Sequence, residues 1–211
     1  AGKSRGTAAK NSFPPVKNVV YLRQKKTASG GRKGTICSMN ETLNVLKQRR
    51  GCKSYQDRQI TDAELDAVLE AGTYAPTGRN QQSPILVAVQ NREDLDTLRR
   101  LNAAVAGTDT DPFYGAPTVV VVLADKNWPT RVYDGSCVME NMMIAAEALG
   151  LGSRWIHRAR EVFESEEGKA LLKSWGVEGE YEGIGNCILG YWAGEKPAAA
   201  PRKEHYIYKV K

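Results

Sequence analysis

The sequence predicts one mixed domain, α+β or α/β, and three observations carry that expectation. Helical and strand-like patterns interleave along the chain with no internal repeat. The stretch TVVVVLAD at 118–125 is apolar throughout, the pattern of a strand covered on both faces. The stretch DGSCVMENMMIAAEALGLG at 134–152 is a long helix, rich in Ala and Met, with apolar residues on more than one side, which is how a central helix reads. At 211 residues the chain has one-domain size and is long enough to bury a proper core.

Taken in order, the elements start at Asn40, an N-cap residue, followed by ETLNVLKQRR with Leu43 and Leu46 at helical spacing. Thr61 and Glu64 fit a capping box, and Leu65, Val68 and Leu69 form the apolar stripe of a second helix. That helix ends in the turn formers around 72–78, and PILVAVQ at 84–90 is a short buried strand. A third helix over 92–105 turns Leu95, Leu98 and Leu101 inward, and TDTDPFYGAP is a loop. In the central helix, Met139, Met142 and Met143 are packing residues rather than a ligand set. SRWIH at 153–157 is extended, 165–176 is a helix with an acidic start and a Gly exit, and IGNCILGYW at 184–192 is the last core strand. The Pro- and Ala-rich close alternates in HYIYKV, the pattern of an arm that ends as an added edge strand. The four tryptophans at 128, 155, 175 and 192 read as core or interface residues.

The formal charge of +6 suggests a nucleic-acid partner until it is located. Residues 1–38 hold nine Lys or Arg and no acid; the remaining 21 cations of 39–211 face 24 anions, a net of −3. The basicity belongs to the tail, so the body has no electrostatic case for binding nucleic acid. The tail shows no periodicity and reads as a disordered segment. It fits a processed targeting sequence, a nucleic-acid-binding arm, or non-coding sequence translated ahead of a natural start at Met39. We favour the last, because Gly-Gly-Arg-Lys-Gly reads as a purine-rich ribosome-binding region translated as protein, and we place the domain at 39–211. No apolar run reaches the roughly 18 residues of a membrane helix. Four cysteines far apart, with no C-x-x-C pair, and two histidines argue against zinc or a disulfide framework and for a reducing, cytoplasmic setting.

One octet raises a chemical question. RRGCKSYQ at 49–56 places Arg49, Arg50 and Lys53 at the end of the first helix. Cations there complement the helix dipole without any ligand, or they meet an anion. The octet alone leaves both readings open.

The longer context resolves into a resemblance. RRGCKSYQDRQITDAELDAVLEAGTYAPTGRNQQSP, MENMMIAAEALGLGSRWIH, GIGNCILGY and PRKEHYIY occur in the order and spacing of the FMN-dependent nitroreductases, and the resemblance runs from about Met39 to the C-terminus. It implies a three-layer α/β/α sandwich, α+β in class, with a mixed, mostly antiparallel sheet and a domain-swapped homodimer. It also implies FMN as cofactor, NADH or NADPH as electron donor, and a nitroaromatic, quinone or similar small-molecule acceptor. Some members of the fold perform reductive dehalogenation or flavin breakdown instead. No G-x-G-x-x-G follows a strand, so no Rossmann nucleotide site is expected.

By the same resemblance, Arg49 and Lys53, flanked by Arg50, match positions that meet the flavin phosphate, a near-dianion that Arg clamps bidentately. Gly51 stands where the family usually has Ser, so a hydroxyl contact is missing. Arg202 and Lys203 match a second cationic arm on the same phosphate. Pro76, Thr77, Asn80 and Gln82 match the loop that cups the isoalloxazine ring, whose uracil-like edge needs both donors and acceptors. Ser83-Pro84 replaces a common Pro-Trp, removing a Trp that could stack or gate. Asn102 matches a ribityl-side contact. His157 and Arg158 match the strand end whose backbone N–H groups approach flavin N5. No side chain is a firm catalytic residue; His157 is the candidate proton donor.

Overall fold

The computed structural model describes residues 40–211. The tail and its alternative origins fall outside the described residues.

Asn40 caps α1, Glu41–Gln48, by accepting from Thr42 N through its side chain. The capping box forms as the sequence predicts: Glu64 N donates to Thr61 Oγ1 and Thr61 N donates to the Glu64 carboxylate, starting α2 at Asp62–Thr73. A 3-10 turn at Gly78–Asn80 leads into β1, Pro84–Val89. Helix α3, Arg92–Ala106, stops at Gly107, whose left-handed φ of 64° closes the last turn. Strand β2, Thr118–Asp125, precedes the central α4, Arg131–Ala148. Strand β3, Gly152–Ile156, two short helices, α5 at Ala159–Glu164 and α6 at Glu166–Ser174, and strand β4, Tyr181–Gly190, complete the core.

The four strands lie in the order β1-β2-β4-β3 and every adjacent pair is antiparallel. The parallel component is a single bridge at the sheet edge, Gly51 to Ser153. In the β2–β4 ladder the register shifts between Val122, opposite Gly185, and Leu123, opposite Gly183, leaving Ile184 as the extra residue of a bulge.

Two apolar cores explain the layers. Val120, Val122 and Ala124 of β2 pack with Leu65 and Val68 of α2 and Val138, Met139, Met142 and Ala146 of α4. Their alternates, Val119, Val121 and Leu123, pack on the opposite face with Leu95, Leu98 and Leu101 of α3 and Val162 and Phe163 of α5. The chain is an α/β/α sandwich, and β2 is buried along its length because helices cover both of its faces.

Four elements differ from the sequence reading, the last strand among them, which starts three residues earlier and ends two earlier. The central helix begins three residues earlier and ends four earlier, since Gly150 takes φ 76° and cannot continue it. Helix α5 is invisible in the sequence: two turns carry too little periodicity, and its N-cap, Arg158, makes no side-chain cap. The tail end HYIYKV forms no strand within the chain, and Tyr206, Ile207, Tyr208 and Val210 are exposed, Tyr208 by 82%. An edge strand needs a free edge to pair with, and among the described residues no strand pairs with this segment.

Among the described residues no helix is long and apolar enough to cross a membrane.

Candidate functional site

The end of α1 and the C-terminal arm meet in one cleft. Leu46, Lys47, Arg49, Arg50 and Gly51 line one side, and Ala198 to Ala200 with Arg202 line the other, around about 770 Å3. Four of these residues are cations and none is an acid. Residues far apart in the sequence, 46–51 and 198–202, thus contribute to the same positive concavity, which concentrates anions.

The cations in it are not equivalent. Arg49 keeps its guanidinium 3.9 Å from Glu140 of α4, which orients it without closing a tight ion pair. Arg50 donates from Nη1 to the carbonyls of Lys47 and Arg49, both at 2.7 Å. It satisfies carbonyls at the end of α1, the work cations do at helix C-termini. Its Nε is buried without a partner. Arg202 donates to Ala200 O at 2.7 Å and is otherwise exposed. Lys53 is exposed and, like Lys203, is not part of the cleft wall; the Lys203 ammonium lies 5.2 Å from the Tyr206 ring.

The loop after α2 forms a second concavity. Tyr74, Ala75, Pro76, Asn80 and Gln82 line a cleft of about 520 Å3 that shares no residue with the cationic one. Thr77 stands behind it, accepting from Gln82 N at 3.0 Å. Arg79, Asn80 and Gln82 all take left-handed φ near 50°. Such strain in three non-glycine residues persists only when surroundings impose it, and it clusters at functional sites. Here the imposing residue is Asp134, buried at the start of α4. Its carboxylate accepts from Gly78 N at 2.9 Å and from Thr130 Oγ1 at 2.9 Å.

At the end of β3, His157 is exposed and Arg158 turns the chain with φ 75° into α5. Asn102 is buried to 1% exposure, and its amide donates to His157 O at 3.0 Å. The Asn102 Oδ1 is buried with no partner. Its side chain therefore ties α3 to the strand end and leaves one acceptor unmatched.

The nitroreductase family model matches residues 46–112 and 107–191, most of the described chain. A protein of Archaeoglobus fulgidus, assigned by inference as an NADH dehydrogenase/NAD(P)H nitroreductase, is 32% identical over 75% of this chain and 89% of its own length. The chain belongs to the nitroreductase family. A nitroreductase with bound FMN from Bacteroides fragilis superposes with a TM-score of 0.76 at 33% identity, covering 82% of this chain and 100% of that one. A second nitroreductase with bound FMN, from Desulfitobacterium hafniense, gives 0.73 at 26% identity with the same coverage.

Two residues that hold the walls of these clefts were missed from sequence: Asp134 and Glu140. Asp134 and Glu140 lie on the central helix, which reads as core by its apolar content, and acids in a helix carry no signal of what they face. A usable clue to Asp134 existed. An acid in the first turn of an otherwise apolar helix complements the helix dipole and is well placed to accept from a neighbouring loop.

Proposed function

We propose that this protein is a homodimeric, FMN-dependent NAD(P)H oxidoreductase that reduces small acceptors such as nitroaromatics or quinones. The observation that carries this reading is the joint cationic cleft built by Arg49 and Arg202. Its donor set fits a phosphate monoester: guanidinium forks, an unmatched buried Arg50 Nε, and no acid in the wall.

FMN, when bound, supplies a ring nitrogen that accepts and returns a hydride. The chain's own residues hold and shape the site. Arg49 and Arg202 would hold the phosphate, with Lys53 and Lys203 adding charge nearby. Thr77, Asn80 and Gln82 offer amide and hydroxyl groups of both polarities to a ring edge, on a loop that Asp134 keeps in its strained form. Asn102 fixes the His157 carbonyl and so the direction of the backbone N–H groups that follow it. Its unmatched Oδ1 suits a ribityl hydroxyl.

What one chain leaves uncovered supports the dimer. Helix α1 buries no residue, and Leu43 and Leu46 are each 45% exposed. An apolar groove of about 650 Å3 lies between α1, α2 and α4. The arm 204–211 carries an alternating sequence pattern that pairs with no strand among the described residues. A second copy supplies all three partners, exchanging arms and joining the cationic cleft of one protomer to the 76–82 loop of the other. Free Cys52, Cys137 and Cys187 suit the cytoplasm. A body with net charge −3 needs no nucleic-acid partner.

Purification tests the reading directly. The protein is expected to be yellow, to release FMN on denaturation, and to oxidise NADH or NADPH faster when a nitro, quinone or halo-aromatic acceptor is added. A colourless protein whose fluorescence titration shows no FMN uptake contradicts it.

A further inference from the structure

Gly51 lacks the hydroxyl that the family pattern carries, and a different side chain fills the space. A Cβ built on Gly51 would meet Arg154 Nη1 at 3.0 Å, with Arg154 Cγ at 3.7 Å and Cζ at 3.9 Å. The guanidinium lies against the side-chain face of a residue that itself lines the cationic cleft. Backbone pairing sets this up: Gly51 bridges Ser153, and Cys52 N donates to Ser153 O at 3.0 Å. The residue after Ser153 therefore rises beside Gly51.

Arg154 is half-buried, yet no carboxylate pairs with it among the described residues. Its one close partner is the Tyr114 ring, whose centroid lies 5.3 Å from the guanidinium carbon, a cation–π contact that leaves the N–H donors unused. Its guanidinium donors have no hydrogen-bond partner among the described residues and sit against a residue that lines the cationic cleft, so they are free to meet an anion held there.

We infer that Arg154 is a phosphate-binding residue of this site, its guanidinium supplying the donors that Gly51 lacks. The inference rests on the FMN reading above and adds a residue to it. Gly51 and Arg154 act as a pair: a side chain at 51 would press on the guanidinium of 154 and push it from its present place.

The test compares FMN with riboflavin, which has the same ring and ribityl chain but no phosphate, by flavin fluorescence titration of the flavin-free full chain. Arg154→Met is expected to weaken FMN about 10- to 100-fold, the range for one charged hydrogen-bonded contact, and to leave riboflavin unchanged. Gly51→Ser alone is expected to weaken FMN by displacing the guanidinium, yet to strengthen FMN when placed in the Arg154→Met background. That reversal of sign is what a merely structural Arg154 would not give. Circular dichroism checks folding, and Arg154→Gln replaces the Met variant if that one does not fold. Unchanged FMN affinity, or an equal loss for FMN and riboflavin, overturns the inference. A wild-type chain that binds neither flavin, or an Arg49→Ala variant that binds FMN normally, overturns the functional reading instead.

Discussion

Gly78 owes its identity to a close approach. A Cβ there would meet Thr130 Oγ1 at 2.3 Å, and Thr130 is held by its bond to Asp134. Gly78→Ala is therefore expected to destabilise the fold by about 1–3 kcal/mol, the usual cost of overpacking, and to release the 76–82 loop. Urea denaturation measures the first effect, and amide exchange at Asn80 and Gln82 measures the second. Burial pushes the Cys187 thiol up to about 12 and raises Cys52 as well. Because thiolate is the reactive form, native protein treated with iodoacetamide near pH 8 should leave both unmodified, and urea should expose both. Mass mapping of the alkylated peptides decides this. At this scale the sequence was legible where a cation singled out for an anion does line the cationic cleft, as with Arg49. It was not legible where geometry adds a role. Asn102, matched to a ribityl-side contact, also braces the His157 carbonyl, and Arg50, matched to a place flanking the phosphate cations, also donates to carbonyls at the end of its own helix.

The N-terminus of α2 carries a pH dependence of its own. Hydrogen bonds from the Tyr191 hydroxyl first, then from the backbone and hydroxyl of Thr61, hold the Glu64 carboxyl below its ordinary range. A group whose folded pKa is depressed adds stability above its unfolded pKa, about 4.5, and loses it as the pH falls through the folded value. The thermal midpoint of the wild type should therefore fall more steeply than that of Glu64→Gln as the pH drops below about 4.5. Steeper loss in the variant contradicts the assignment. Thr61→Ala should cost about 1 kcal/mol at neutral pH by removing the cap, as read by denaturant midpoint. The elements themselves were largely legible. The capping box, the Leu stripe of α3 and the all-apolar β2 each advertise a local cause in their own residues. Helix α5 does not, because its six residues are held by packing of Val162 and Phe163 against the sheet.

For the molecule as a whole, the part of the sequence reading that one chain does not realise is the alternating arm. Alternation records that a segment pairs as a strand but not with whose sheet, so HYIYKV is legible as a strand and its partner is not. In the proposed dimer, deleting 204–211 keeps Arg202 and Lys203 but removes the exchanged strand. That deletion should shift the protein toward monomer in sedimentation velocity and lower FMN retention, and Leu43→Glu should do the same through the α1 face. A wild type that sediments as a monomer at micromolar concentration contradicts the dimer. The joint cleft was legible only through the family resemblance, since no spacing rule links positions 49 and 202.

The claim that joins these scales is that Arg49 and Arg202 grip one phosphate. Its most direct measurement is a double-mutant cycle of FMN dissociation constants for wild type, Arg49→Ala, Arg202→Ala and the double variant, with riboflavin run alongside. The account predicts that each single change weakens FMN about 10- to 100-fold, that riboflavin is unaffected, and that the two losses are non-additive by more than about 0.5 kcal/mol, since both cations share one ligand. Strictly additive losses, or an Arg202→Ala variant with wild-type FMN affinity, would contradict it.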